Sequence, residues 1–357
     1  MSTLQISLAI VGGLVLAGVV AHSAWSARKN TPRQAEPDSV TPSPTEPGGD
    51  IRPQLESERQ EPGFDPEASL DAALTALTVP EKKPGLDALI DVIAPILVDS
   101  VVSGDAALAA MPGSRRAGSK PFAIEGLSLA TRAWETPAAG QRYSAFQAGV
   151  QLANRTGALN QIEFSEFVMK AQAFADALDG QPEFPDMMDE VARARELDNF
   201  AGTHDAQLGF TLRAKHTAWS PGYLHQHAAK LGFVAGSIPG RMVLPATQSG
   251  QYAPPVLGLS FDTQAAMAED PEQTALRELT LSLDVPQVLR VEQPFERMCE
   301  VAIALAASMD GVIIDDQGQP IRPEAMEAIH ADLEQLYNTL EERDMPAGSA
   351  LGRRLFS

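Results

Sequence analysis

Residues 164–180 read FSEFVMKAQAFADALDG, and residues 295–311 read FERMCEVAIALAASMDG. Apolar residues fall at matching helical positions: Phe164 with Phe295, Phe167 with Met298, Ala171 with Ala302, Phe174 with Leu305, and Leu178 with Met309. Each stretch ends in Asp-Gly, which predicts a helix stop with the glycine in the left-handed region. A second correspondence follows in the same order. Residues 180–188 (GQPEFPDMM) match 318–326 (GQPIRPEAM), each opening a helix with proline near its first turn. Between the two matches, only the second copy carries VIIDDQ (312–317), read as a strand entering a turn that the first copy has lost. Chance likeness of amphipathic helices explains the first match alone but not both together. The reading is an internal duplication.

Outward from this repeat, the second copy yields a full set of elements. Leu208, Phe210 and Leu212 alternate with Gln207, Gly209, Thr211 and Arg213, the period of a half-buried strand. Residues 220–231 form a helix with Ser220 as N-cap and Pro221 at its first position. Residues 233–244 are strand-like with Gly and Pro interruptions. Leu257, Leu259 and Phe261 alternate with Gly258, Ser260 and Asp262; Leu279, Leu281 and Leu283 alternate with Thr280 and Ser282. A last helix carries Met326, Ile329, Leu333, Leu336 and Leu340 on one face. Such alternation means helices on one face of an antiparallel sheet and an open second face. The fold class is α+β, with two related lobes of the split β-α-β type. An open sheet face is a docking surface rather than a catalytic pocket.

The N-terminal residues 4–25 (LQISLAIVGGLVLAGVVAHSAW) hold no Asp, Glu, Lys or Arg. A helix of about 22 residues spans the roughly 30 Å hydrocarbon core. Trp25 falls at headgroup level, and Arg28, Lys29 and Arg33 follow. The positive-inside rule then leaves the N-terminus outside and the rest in the cytoplasm. A cleaved signal peptide needs a basic start and a shorter apolar core. Residues 1–27 are therefore read as a single transmembrane anchor and 28–84, dense in Pro, Glu, Ser and Asp, as a disordered linker. As a coil it holds the next domain some 40 Å from the membrane. The first lobe is placed at 85–202, the second at 203–345, and a flexible tail at 346–357.

The 357-residue chain carries a net charge of −20, which argues against nucleic acid as a partner. Cys299 is the sole cysteine, so there is no disulfide framework and no thiolate zinc site. His225 and His227, two apart on a helix, face different sides and cannot share a metal. Asp315-Asp316 lacks the ligand spacing of a calcium loop. No nucleophile elbow, phosphate loop or dinucleotide fingerprint occurs, so neither an enzyme nor a cofactor is expected. Arg115, Arg116 and Lys120 read as a solvated basic loop.

Residues 307–317 (ASMDGVIIDDQ), followed by Pro320 and the helix opening at Pro323, carry a resemblance; so do 231–234 (LGFV) and 283–286 (LDVP). Behind an apolar N-terminal run and an acidic Pro-rich linker, this order resembles the ZipA family, bacterial division proteins that anchor FtsZ filaments to the inner membrane. It covers the anchor and residues 203–344; residues 79–202 have no counterpart. The resemblance implies a non-enzymatic, single-pass inner-membrane adaptor whose partner is the FtsZ C-terminal tail, bound on the open sheet face. By position that face comprises Gly209, Thr211, Ile238, Ser260, Asp262, Thr280 and Ser282. The family groove is rich in large apolar residues, whereas most of these are small or polar. The competing reading is a membrane-anchored sensor binding a small ligand between tandem lobes.

Overall fold

The computed structural model describes residues 32–35, 85–247, 254–315 and 317–357. The apolar run 4–25 and most of the linker lie outside them. No helix among the described residues is long and apolar enough to cross a membrane.

The first lobe runs β1 (Asp91–Ser103), α1 (Gly104–Ala110), β2 (Arg116–Ala117), β3 (Lys120–Ser128), β4 (Trp134–Glu135) and β5 (Arg142–Gln151). A small hairpin of β6 (Ala153–Asn154) and β7 (Gly157–Ala158) follows, then α2 (Gln161–Asp176), β8 (Gly180–Pro182) and α3 (Met187–His204). The second lobe runs β9 (Gln207–Ala214), α4 (Pro221–Lys230), β10 (Val234–Ala235), β11 (Arg241–Leu244), β12 (Leu257–Ser260), α5 (Thr263–Ala266) and β13 (Glu278–Asp284). It ends with α6 (Pro294–Met309), β14 (Gly311–Ile314), α7 (Pro323–Glu342) and α8 (Ala350–Leu355). The chain is α+β, and the strand pairs within both sheets are antiparallel.

The sheet orders are β2-β3-β5-β1-β8 and β10-β11-β12-β13-β9-β14. In each, the lobe's first strand lies inside the sheet, between the strand before the long helix and the strand after it. Helices α2 and α6 therefore occupy one topological place. The matched positions also point inward: Phe164, Phe167, Ala171 and Phe174 are buried, as are Phe295, Met298, Ala302, Leu305 and Met309.

Two details of the repeat differ from the sequence reading. The left-handed residue is the aspartate, with φ 52° at Asp179 and 56° at Asp310. Aspartate tolerates that region. The glycines instead start strands where space is short: a Cβ on Gly180 would stand 3.0 Å from the Leu97 carbonyl oxygen, and one on Gly311 would stand 3.3 Å from the Trp219 ring. The first lobe has not lost the strand after its helix either. Gly180–Pro182 pairs with Ile96–Val98 of β1, so the shorter connection keeps the strand and omits only the loop beyond it.

The segment 346–357, read as a flexible tail, packs against both lobes, with Ala347, Gly348, Gly352, Leu355 and Phe356 buried. Ser349 caps α8 by accepting from Gly352 N–H at 3.0 Å, and Leu355 and Phe356 are 0% and 1% exposed. Gln151 of the first lobe donates to the Arg354 carbonyl at 2.7 Å, and Gln287 of the second donates to that of Phe356 at 2.7 Å. Arg354 pairs with the buried Asp91 at 2.5 Å. The tail orders because its apolar side chains close the seam between the lobes. Arg155, in the β6–β7 turn, joins the lobes on the same seam, contacting Asp205 at 2.6 Å and Asp284 at 2.7 Å. Lys120, read as part of a solvated loop, is 1% exposed and donates to Asn154 Oδ1 at 2.7 Å, pinning the hairpin that carries Arg155. Burial pulls its ammonium pKa below the ordinary lysine value.

Part of the expected linker is also placed. Among residues 32–35, Arg33 is bridged in parallel to Trp219 of the second lobe.

Candidate functional site

The strand register defines the face opposite the helices. One row runs Val234–Val243–Gly258–Ser282–Gly209 and the next runs Arg241–Ser260–Thr280–Thr211–Ile314. A third holds Glu278, Arg213 and Val312, with Arg213 Nε donating to Glu278 Oε1 at 2.6 Å. Alternate residues Leu279, Leu281, Leu283, Phe210, Leu212, Leu257 and Leu259 are buried on the helix side. That burial fixes the parity, because a one-residue slip would expose the whole set.

The register thus brings Gly209, Thr211, Ser260, Thr280 and Ser282 together on one face. Ile238 and Asp262 stand apart from it. Ile238 lies in the β10–β11 turn, where its carbonyl accepts from Arg241 N–H at 3.1 Å, and its side chain is 50% exposed. Asp262 follows β12 and caps α5, accepting from Gln264 N–H at 2.8 Å. Both sit at one end of the face.

Sequence reasoning missed the banks of this face. Its floor is small: Gly209 and Gly258 have no side chain, and a Cβ on Gly258 would meet the Ser282 hydroxyl at 2.6 Å. Val234 and Val243 rise on one side, and Val234 is 50% exposed; on the other side Val312 is half-buried, while Ile314 is only 3% exposed. Arg241 is exposed and makes no side-chain hydrogen bond among the described residues. The surface is a shallow trough with a polar, narrow floor and apolar edges. It suits an extended chain whose larger side chains reach sideways, and it offers one free guanidinium to a carboxylate.

The face holds no acid–base or nucleophilic constellation. His225 and His227 each lie against a different aromatic ring, His225 at 5.6 Å from Phe261 and His227 at 4.4 Å from Tyr223. Burial lowers the His225 pKa below the ordinary imidazole value. Among the described residues no group of His, Cys, Asp and Glu is arranged to hold a metal ion.

No curated protein matches the chain. Residues 265–332 match the family model described as ZipA, C-terminal FtsZ-binding domain. The match spans β13, α6, β14 and the first half of α7, so it includes Thr280, Ser282, Val312 and Ile314. Through that segment the chain is a ZipA-like protein.

Proposed function

We propose that this protein is a division adaptor that tethers FtsZ filaments to the bacterial inner membrane, binding the FtsZ C-terminal tail along the open face of its second lobe. The observation that carries the reading is the coincidence of the ZipA-type match with an uncovered sheet face on the same segment. The tail would lie across Gly258, Ser282 and Gly209, with apolar side chains against Val234 and Val243 or, on the far side, Val312. Apolar gain comes from those edges rather than from the floor, since affinity follows buried apolar anchors. The adaptor needs no chemistry of its own, so it is read as non-enzymatic. The shared strand order and inward-facing repeat positions support descent of both lobes from one duplicated unit.

Titrating a labelled FtsZ tail peptide against the detergent-solubilised full chain tests the proposal; saturable one-to-one binding is expected. The full chain is the right sample because α8 joins the two lobes. The sensor reading keeps one supporting observation, a recess at the lobe seam lined by Asn154, Arg155, Asp198 and Phe356. Its only strong cation, Arg155, is already held by two carboxylates, so the peptide face is favoured.

Membrane anchoring rests on residues 4–25 and the basic residues behind them. A fluorophore joined by a flexible spacer after Ser357 should be bright in the cytoplasm, and an alkaline phosphatase in its place should be inactive. Phosphatase activity would reverse the orientation and remove any access to FtsZ.

A further inference from the structure

We propose that residues 32–35 are a docking strap, held as a short third strand beside Trp219, and that its docking sets how many residues separate the N-terminal apolar run from its first hold on the second lobe. Arg33 N–H donates to the Ala218 carbonyl at 2.7 Å, and Ser220 N–H donates back to the Arg33 carbonyl at 2.8 Å. On the far side Trp219 exchanges both backbone hydrogen bonds with Leu276, each 2.8 Å. Arg33 therefore completes a ribbon whose middle strand is rigid. The Trp219 ring is fully buried, and its Nε1–H donates to the Met309 carbonyl at 2.7 Å.

The side chain of Arg33 adds a second, independent hold. Its guanidinium reaches Asp310 Oδ2 at 3.2 Å, where His216 Nδ1 also stands at 2.9 Å. Asp310 is the left-handed residue that ends α6, and its carbonyl accepts from Lys215 N–H at 3.0 Å. The helix stop thus aims a carboxylate at the strap. The corresponding aspartate of the first lobe, Asp179, has no ion pair among the described residues. Pro32 is buried, and its ring fixes its own φ near about −65°, a value that an extended edge segment accepts.

Tether length follows from these contacts. With the strap docked, about seven residues separate Trp25 from Pro32, reaching no more than about 25 Å. With it released, about 60 residues of sequence separate Trp25 from the first lobe, against about seven up to the strap. The strap is held by a few hydrogen bonds and one ion pair against the ordering of a few residues, so the docked length dominates while loss of one contact is enough to shift the balance. Docking itself stands on the contacts; only its consequence for the membrane rests on the anchor reading.

The test places spin labels at Gln34→Cys and Lys230→Cys in a Cys299→Ser full chain in detergent, and measures their distance distribution. A single narrow peak is expected. Arg33→Pro, which deletes the donating N–H and the guanidinium, should broaden and lengthen the distribution. Asp310→Asn, which keeps a residue tolerant of the left-handed region, should raise the released fraction several-fold. A parent distribution as broad as that of Arg33→Pro overturns the proposal, and so does a narrow peak left unchanged by both variants. Failure of the anchor reading shows separately, as a chain that stays soluble without detergent while the distance peak persists.

Discussion

Arg354→Ala is expected to lower the unfolding free energy by about 3–5 kcal/mol near neutral pH, the cost of leaving a buried carboxylate without its partner. That carboxylate is Asp91, whose side chain is fully buried and accepts from Arg354 at 2.5 Å and from Asp87 N–H at 2.8 Å. Burial pushes the Asp91 pKa up, and the guanidinium pulls against it. Removing Arg354 raises the folded-state value further, while the unfolded value stays in the ordinary carboxylate range. A group raised in the folded state weighs against folding when ionised. That penalty fades as pH falls through its folded pKa. The loss should therefore be clearly smaller at about pH 4 than at neutral pH in paired urea titrations. Phe356→Ala is the pH-independent companion, with an expected cost of about 3–5 kcal/mol for emptying a core site. A loss under about 1 kcal/mol for both would show that residues 346–357 fray from the seam.

That tail illustrates why some of the fold could not be read from the chain. The second lobe was legible because its strands bury one face only, so Leu208, Phe210 and Leu212 or Leu279, Leu281 and Leu283 alternate cleanly. The first lobe hides its strands. β5 (RYSAFQAGVQ) has Gly149 beneath the Leu86 side chain, and its neighbour β3 buries Glu125 on the same outer face, where Gln147 donates to it at 2.8 Å. A strand covered on both sides loses its period of two. The segment PAGSALGRRLFS (346–357) is short, glycine-bearing and basic, and its partners Gln151 and Asp91 lie more than 200 residues away. Nothing local announces such contacts. Lys120 is the same case: a basic side chain near two arginines reads as solvated until the β6–β7 hairpin folds over it.

The candidate face divides along the same line. Strand parity alone selects Gly209, Thr211, Ser260, Thr280 and Ser282. Val243 was hidden because Ser237-Ile-Pro-Gly interrupts its segment, so the inward Met242 and Leu244 could not be phased against it. Val312, Ile313 and Ile314 form an unbroken apolar run, and only pairing with Arg213, Leu212 and Thr211 shows which of them share the open face. Asp262 has the parity of Ser260 but lies beyond the strand's end, where it caps a helix, and Ile238 lies in a turn that strand parity does not reach.

Charge set into the floor of that face should abolish peptide binding and leave the fold intact. Thr280 and Ser282 stand in adjacent rows, opposite Thr211 and Gly209, with the core side chains Leu279, Leu281 and Leu283 pointing away. Thr280→Lys with Ser282→Glu replaces side chains that reach solvent, so the melting transition should move little; exposed substitutions usually change stability within about 0.5 kcal/mol each. Bound peptide would have to desolvate both new charges. An unpaired buried charge at an interface costs about 2–5 kcal/mol, so affinity for an FtsZ tail should fall at least about 30-fold. Val243→Asp probes an apolar edge by the same logic. Ile162→Lys, on α2 of the first lobe and 81% exposed, is the control that should change nothing. Undiminished binding in a folded double variant would move the site off this face. Unfolding of that variant would mean the floor is covered by another part of the protein. Loss of binding confined to the second-lobe variants, with melting unchanged, would place the peptide where the open sheet and the matched segment coincide.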